Sequence, residues 1–176
     1  TLAPSFEDIE PLITGRTKAI IITHLWGFPC EIEDIALLAK KHGIALIEDA
    51  SHSHGASISG RKTGTFSDIA VFSLHQRKNL PVGDGGICLT SDDALREKLY
   101  RLRSFGSDDL SFNYRMTEFA GALGITRLAC LDAQNNERCL TAKKLDLIVD
   151  QYPWLKSLRP LRHCISVYHS YVIFLD

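Results

Sequence analysis

Two stretches of this chain bring reactive residue types close together. Positions 73–86 read Ser-Leu-His-Gln-Arg-Lys-Asn-Leu-Pro-Val-Gly-Asp-Gly-Gly, and positions 47–52 upstream read Ile-Glu-Asp-Ala-Ser-His. Lys78 stands just past the apolar run 69–74, with Ser73 and His75 before it and Gly83, Gly85 and Gly86 after it. A lysine there costs desolvation unless it is used or paired. Its common uses are a phosphate contact, an ion pair or a covalent Schiff base. Glycines at that density let backbone approach a ligand closely or adopt positive φ.

Several chemistries need more than these residues offer. His52 and His54 with Asp49 lack the further spaced ligand that a metal site requires. Gly83-Asp-Gly-Gly is not GxGxxG and opens no helix, and no GxxxxGK(S/T) occurs. Ser73, His75 and Asp49 invite a triad reading, but the GxSxG elbow is missing around Ser73. The set fits Schiff-base chemistry better, because such a lysine needs an electron sink. Pyridoxal phosphate is one, provided that a carboxylate keeps its ring nitrogen protonated and hydroxyl and N–H donors hold its phosphate. Asp49, together with Ser73 five residues before Lys78, offers those parts.

The elements that must position these residues follow from hydrophobic pattern. Runs 18–23 and 44–49 are apolar and β-branched, the pattern of strands buried on both faces. Between them 31–42 has helical spacing, acids early and lysines late, and Gly43 as its stop. Strand, helix and strand make a βαβ unit with parallel strands and a right-handed crossover. Ligands of open α/β sheets bind beyond the carboxyl ends of the strands. Glu48, Asp49, His52, Ser73, His75 and Lys78 all fall at or just past such ends. The remaining pattern predicts a helix within 1–16 ended by Gly15, a loop over 24–29 and a turn-rich connection over 51–67. Strands follow at 69–74 and 87–90, then a helix from the Ser91-Asp-Asp cap to 103 that stops at Gly106. Residues 107–115 read as irregular, 117–138 and 143–152 as two helices, the second ended by Pro153, and 167–175 as a strand.

Bulk composition excludes several classes. At 176 residues, 45% hydrophobic and 23% charged, the chain reads as one ordinary globular domain. A net charge of −1 leaves no electrostatic footprint for nucleic acid or an anionic membrane. The strongest apolar run, 19–22, falls far short of the ~20 residues of a membrane span, and the first residues carry no signal-peptide pattern. Five cysteines without CxxC spacing fit neither a zinc ribbon nor a disulfide framework. They read as reduced, mostly buried thiols of a cytoplasmic protein.

Four motifs in one order then carry a resemblance. Glu-Asp-Ala-Ser-His-Ser-His-Gly at 48–55, Gly-Arg-Lys-Thr-Gly-Thr-Phe-Ser-Asp at 60–68, the lysine stretch 73–86, and Asn-Tyr-Arg-Met at 113–116 resemble the DegT/DnrJ/EryC1/StrS family of pyridoxal-phosphate sugar aminotransferases. His-Leu-Trp-Gly-Phe-Pro at 24–29 is similar to the family's His-Leu-Tyr-Gly-x-Pro loop. The resemblance implies an α/β three-layer sandwich with a mainly parallel sheet, the central part of the large domain of a fold type I enzyme. Residues 1–166 would belong to that large domain, and 167–176 would begin a smaller C-terminal one. Lys78 would carry the cofactor as a Schiff base and then move the proton between Cα and C4′. Asp49 would pair with the pyridine nitrogen, His52 would lie near the ring and its 3-hydroxyl, and Ser73 would bind the phosphate. Asn113 would reach the phosphate of the neighbouring subunit's cofactor in a homodimer with shared sites. Arg115 and His75 are candidates for substrate contact.

The implied reaction moves an amino group from an amino acid, glutamate being the expected donor, to a keto-sugar nucleotide. A sugar dehydratase of the same family and a catalytically inactive interaction module are the alternatives. Two positions depart from the family pattern: Arg77 stands where a small residue is usual, and Trp26 replaces a tyrosine. The chain also reads as lacking the family's upstream phosphate-binding segment and its full C-terminal domain, so it is expected to be a piece of the large domain.

Overall fold

A computed structural model describes residues 2–105 and 111–176 of the protein. Ser5 and Asp8 close a capping box that starts α1, Phe6–Ile9, and a 3-10 turn follows at Glu10–Leu12, where Pro11 stands. The helix expected within 1–16 is thus shorter than its periodicity implied, because Pro11 removes a backbone donor. β1, Ala19–Thr23, leads through a 3-10 turn at Leu25–Gly27 into α2, Ile32–His42, and then into β2, Ala45–Asp49. Glu33 and Asp34 lie in the first turn of α2, and Lys40, Lys41 and His42 in its last, each end complementing the helix dipole. Gly43 ends the helix in the left-handed conformation, at φ 63°.

The turn-rich stretch holds a short hairpin, β3, Ser57–Ile58, and β4, Arg61–Lys62. β5, Ile69–Ser73, and β6, Gly86–Leu89, flank the lysine loop. Asp92 caps α3, Asp93–Arg103, by accepting the Leu95 N–H. Gly106, its expected stop, and residues 107–110 lie outside the described residues. α4, Glu118–Val149, is capped by Thr117 and is one helix where two were expected. Residues 139–142 contain no breaker, Ala142 is buried, and Thr141 donates back to the Glu137 carbonyl at 3.0 Å, so nothing stops the helix there. After α4 come β7, Leu155–Ser157, β8, Cys164–Ile165, and β9, Ile173–Leu175. The strand expected over 167–175 is therefore confined to its last residues. Tyr168 takes φ 44°, and 166–170 docks onto other loops instead of extending.

The main sheet has the order β1-β2-β5-β6. β1 pairs with β2 in parallel, Ala19 opposite Ala45 through Thr23 opposite Asp49, and β2 pairs with β5 in parallel, with Asp49 opposite Val71. β6 returns antiparallel to β5, which makes the sheet mainly parallel with one antiparallel strand. Two smaller sheets, β4-β3-β8 and β7-β9, stand apart from it.

Strand alternation decides what is buried. Ile20, Ile22 and Leu46 face α2 and pack with Ile32, Ile35, Ala39, Cys30, Ile58 and Cys164. Ile32 and Ile35 are fully buried, each worth about 1.5–3 kcal/mol by apolar area alone. A second cluster, Leu74, Leu80, Val82, Ala120 and Leu131, ties the lysine loop to α4. The cysteines are all free, but only Cys30 and Cys164 are buried, while Cys88 and Cys130 are exposed. The expectation of mostly buried thiols is corrected accordingly. No helix among the described residues is long and apolar enough to cross a membrane.

Candidate active site

Glu48 and Asp49 are neighbours in sequence and opposites in space. Adjacent strand residues point to opposite faces, so Glu48 turns into the core while Asp49 remains half-buried at the end of β2. Glu48 is fully buried, and its carboxylate is shared among four donors. Oε1 accepts from His24 Nε2 at 3.0 Å and from the Gly64 N–H at 2.6 Å. Oε2 accepts from the Phe66 N–H at 2.9 Å and from Ser67 Oγ at 2.8 Å. Burial alone would push the carboxyl up, but His24, Gly64, Ser67 and Phe66 together hold it below the ordinary range. His24 Nδ1 accepts the Cys30 N–H at 3.2 Å, so Nε2 carries the hydrogen given to Glu48. Glu48 is therefore a brace that holds the loop Gly64–Ser67, the second motif, against the sheet. That loop needs a glycine: Gly64 has φ +86°, and a Cβ there would sit 2.5 Å from the Phe72 ring.

Cys30 Sγ lies 3.5 Å from His24 Nδ1, an array that superficially matches a Cys-His-Glu triad. Burial pushes the Cys30 thiol up to about 12, so it is not a nucleophile.

The lysine loop is rigid for local reasons. The Leu74 N–H donates to Gly85 O at 2.8 Å, Gln76 N–H to Gly83 O at 2.8 Å, Val82 N–H to Leu74 O at 2.9 Å, and Lys78 N–H to His75 O at 2.8 Å. Buried Leu74, Leu80 and Val82 anchor the same turn under α4. Lys78 itself is half-buried, and its amine makes no hydrogen bond or salt bridge among the described residues.

Around that amine the structure gathers three imidazoles and a carboxylate. Burial, then the Lys78 ammonium, lowers His52, with Asp49 opposing. Burial pushes His54 down to about 4; the nearby Ser73 carbonyl opposes this, and Lys78 and His52 add to it. Neither ring nitrogen of His54 has a hydrogen bond of good geometry. His169 is likewise pushed down to about 4 by burial first, then by His52 and Lys78. All three rings are thus neutral at physiological pH. His52 Nδ1 accepts the Trp26 N–H at 3.3 Å, which leaves its hydrogen on Nε2. Asp49 Oδ1 accepts the Ser51 N–H at 3.0 Å, and Oδ2 makes no hydrogen bond among the described residues. Ser73 Oγ accepts the His75 N–H at 3.3 Å, and His75 Nδ1 in turn accepts the Arg77 N–H at 3.3 Å.

Asp49, His52 and Lys78, expected to act together, do lie within electrostatic reach of one another. Asn113 and Arg115 are exposed and make no side-chain bond with this cluster. Their segment is fastened instead to the end of α3, with the Phe112 N–H on Leu102 O at 2.8 Å and the Tyr114 N–H on Arg103 O at 3.1 Å. Arg77 is exposed too. Sequence reasoning missed His169, Asn79 and Asn135, which converge here from distant positions. The only signal for His169 was an imidazole set between tyrosines in a presumed strand. A cleft of about 340 Å³ lies elsewhere, between α4 and Tyr168 and Tyr171, and holds no nucleophile–base pair. Among the described residues no cluster of three or more ligating side chains could hold a metal.

The half-buried free amine, the carboxylate with an open oxygen, the Nε2–H donor and the unpartnered buried imidazole fit the donor set that pyridoxal phosphate requires. A mainly parallel sheet presenting them at its carboxyl ends is the large-domain architecture of fold type I aminotransferases. The chain belongs to the DegT/DnrJ/EryC1/StrS aminotransferase family, whose profile matches residues 1–176. The enzymes of this family depend on pyridoxal phosphate. GDP-perosamine synthase of Escherichia coli O157:H7 is 37% identical over 136 residues, 73% of this chain and 37% of that protein. The dTDP-3-amino-3,4,6-trideoxy-alpha-D-glucose transaminase of Streptomyces venezuelae is 39% identical over 141 residues, 76% of this chain and 37% of that protein. In structure the chain is similar to S. venezuelae DesV, crystallised with a ketimine intermediate, at a TM-score of 0.93 and 32% identity over 98% of this chain and 48% of that one. The chain spans between a third and a half of the length of these relatives.

Proposed function

We propose that the protein transfers an amino group from an amino acid, glutamate being the expected donor, to a keto-sugar nucleotide, with pyridoxal phosphate held on Lys78. The observation that carries the reading is the unpaired Lys78 amine set beside Asp49 and His52 past the ends of parallel strands. Relatives named as perosamine synthase and amino-sugar transaminase support the substrate class.

When bound, the cofactor supplies the electron sink that lets a proton leave the amino-bearing carbon. The residues of the chain do the rest. Asp49 Oδ2 would accept the pyridine N–H and keep that nitrogen protonated. His52 would offer Nε2–H to the 3-oxygen, and the Ser73 hydroxyl would donate to the phosphate. Lys78 would hold the cofactor and, once released from it, would carry the proton that leaves the substrate Cα. The neutral imidazoles add no positive charge to compete with Lys78 or Asp49. Asn113 reaches the phosphate of a partner subunit's cofactor in a cytoplasmic homodimer, and Arg115 and His75 meet substrate. Residues 1–166 form the large-domain part, and 167–176 lead toward a smaller domain.

The test is an absorption spectrum of the protein with pyridoxal phosphate, then borohydride reduction and peptide mapping. A band near ~420 nm and a single adduct on Lys78 are expected. Label scattered over surface lysines, or transamination that survives Lys78→Ala, would overturn the reading. Amino-sugar product, as against deoxy-sugar, separates transfer from dehydration.

A further inference from the structure

Asn79, next to Lys78 in sequence, is buried and makes three side-chain hydrogen bonds. Its Nδ2 donates to Asn135 Oδ1 at 3.3 Å and to the Val167 carbonyl at 3.2 Å, and its Oδ1 meets His169 Nδ1 at 3.2 Å. The Val167 carbonyl can only accept, which fixes the Asn79 amide with its oxygen toward His169. His169 Nδ1 therefore carries a hydrogen and donates it. Asn135, from the middle of α4, donates in turn to the His54 carbonyl at 2.8 Å. One buried network thus joins the lysine loop, α4, the His54 backbone and the C-terminal segment.

His169 lies flat on His52, with ring centroids 4.2 Å apart and planes 12° from parallel. On the edge of His52, Trp26 supplies the N–H to Nδ1 from a left-handed backbone, φ 54°, rarely adopted by a residue with a side chain. The Ser170 N–H donates to the Trp26 carbonyl at 3.3 Å, and the Val167 N–H donates to Gly27 O at 3.1 Å. Gly27 allows this close approach, because a Cβ there would lie 2.8 Å from the His169 backbone nitrogen. His52 is consequently gripped on one ring face and at one ring nitrogen, and its other nitrogen is left for a ligand.

We propose that His169 is a positioning residue for amino transfer: stacked on His52 and tethered through Nδ1 to Asn79, it holds the His52 ring in the orientation and tautomer that present Nε2–H to the cofactor. The inference rests on the reading that Lys78 carries pyridoxal phosphate. It couples the two sides of the site, since the amide that tethers His169 is the neighbour of the lysine itself. Segment 166–170, far downstream of every motif, becomes part of the machinery without touching the reacting atoms.

The experiment uses the full chain as wild type, His169→Ala and His169→Phe. Long-range ¹H–¹⁵N spectra of the imidazoles read the His52 tautomer without cofactor. Absorbance titration with pyridoxal phosphate, followed by borohydride mapping, reads affinity at Lys78. Expected are an Nε2–H His52 in the wild type, a tautomer mixture and about tenfold weaker cofactor binding in His169→Ala, and recovery to within about threefold in His169→Phe, which keeps the stack. A folded His169→Ala protein with the wild-type His52 spectrum and affinity overturns the inference alone, as does His169→Phe being no better than His169→Ala. Should neither variant fold, the wild-type spectrum still decides, because a His52 carrying its hydrogen on Nδ1 contradicts the proposal. A wild-type protein that forms no Lys78 adduct overturns the cofactor reading and this inference together.

Discussion

Replacing Glu48 by glutamine separates its bracing role from catalysis. The carboxylate presents two oxygens to four donors, His24 and Gly64 on Oε1, Phe66 and Ser67 on Oε2. A glutamine keeps one acceptor oxygen and sets an NH₂ against the other pair. The Ser67 hydroxyl can rotate away, but the backbone N–H cannot. A charge-assisted bond is worth about 1.5–3 kcal/mol, and a buried unsatisfied donor costs about 1–3 more, so the substitution should destabilise by about 3–5 kcal/mol. That is a large share of the ~5–15 kcal/mol of a typical domain. The pH dependence follows in sign. Glu48 is held below its ordinary value in the fold, so its contribution is fully present above the unfolded-state value and is lost as pH falls through the folded-state one. Urea unfolding of both proteins at pH 7 and near pH 4 measures this. The gap between wild type and Glu48→Gln should be wide at pH 7 and should narrow in acid. A difference below about 1 kcal/mol at pH 7, or parallel pH profiles, would refute the account of Glu48 as an ionised brace.

Two further outcomes follow from packing. Gly64→Ala should cost about 2–4 kcal/mol, because the new methyl meets the Phe72 ring at 2.5 Å and φ is +86°. Gly43→Ala, at φ +63° but with nothing within 4 Å, should cost only about 1–2 kcal/mol, and equal losses in urea would contradict the distinction. If the protein is the homodimer proposed, exposed Phe119, Ile125 and Leu128 on α4 are its natural contact. Phe119→Asp with Ile125→Asp should then give a monomer in sedimentation with unchanged circular dichroism. A wild-type protein that is already monomeric at micromolar concentration would refute this.

The βαβ core was legible because its signals are local. β-branched runs, helical spacing, early acids and a terminal glycine each act within a few residues, and they fixed β1, α2 and β2 nearly to their ends. The placement of the candidate site residues was legible for the same reason. Lys78, Asp49, His52 and Ser73 sit at short, fixed distances from strand ends, and in a parallel sheet those ends share one side. The continuity of α4 was missed because apolar periodicity lapses over the polar run 134–138, where the absence of a breaker mattered more. Glu48 was grouped with Asp49, although the two-residue period of a strand sends neighbours to opposite faces.

Other features belong to tertiary structure alone. His169, Asn135 and Asn79 come together across about 90 positions of sequence (|i−j| of 90 and 56), and no periodicity encodes such a meeting. That 166–170 docks on the loop at 24–28, rather than continuing as a strand, depends on a close backbone approach at Gly27. The neutrality of the three imidazoles is likewise not a property of histidine. It follows from removal of water around them and from the lysine they surround, which only the folded chain arranges.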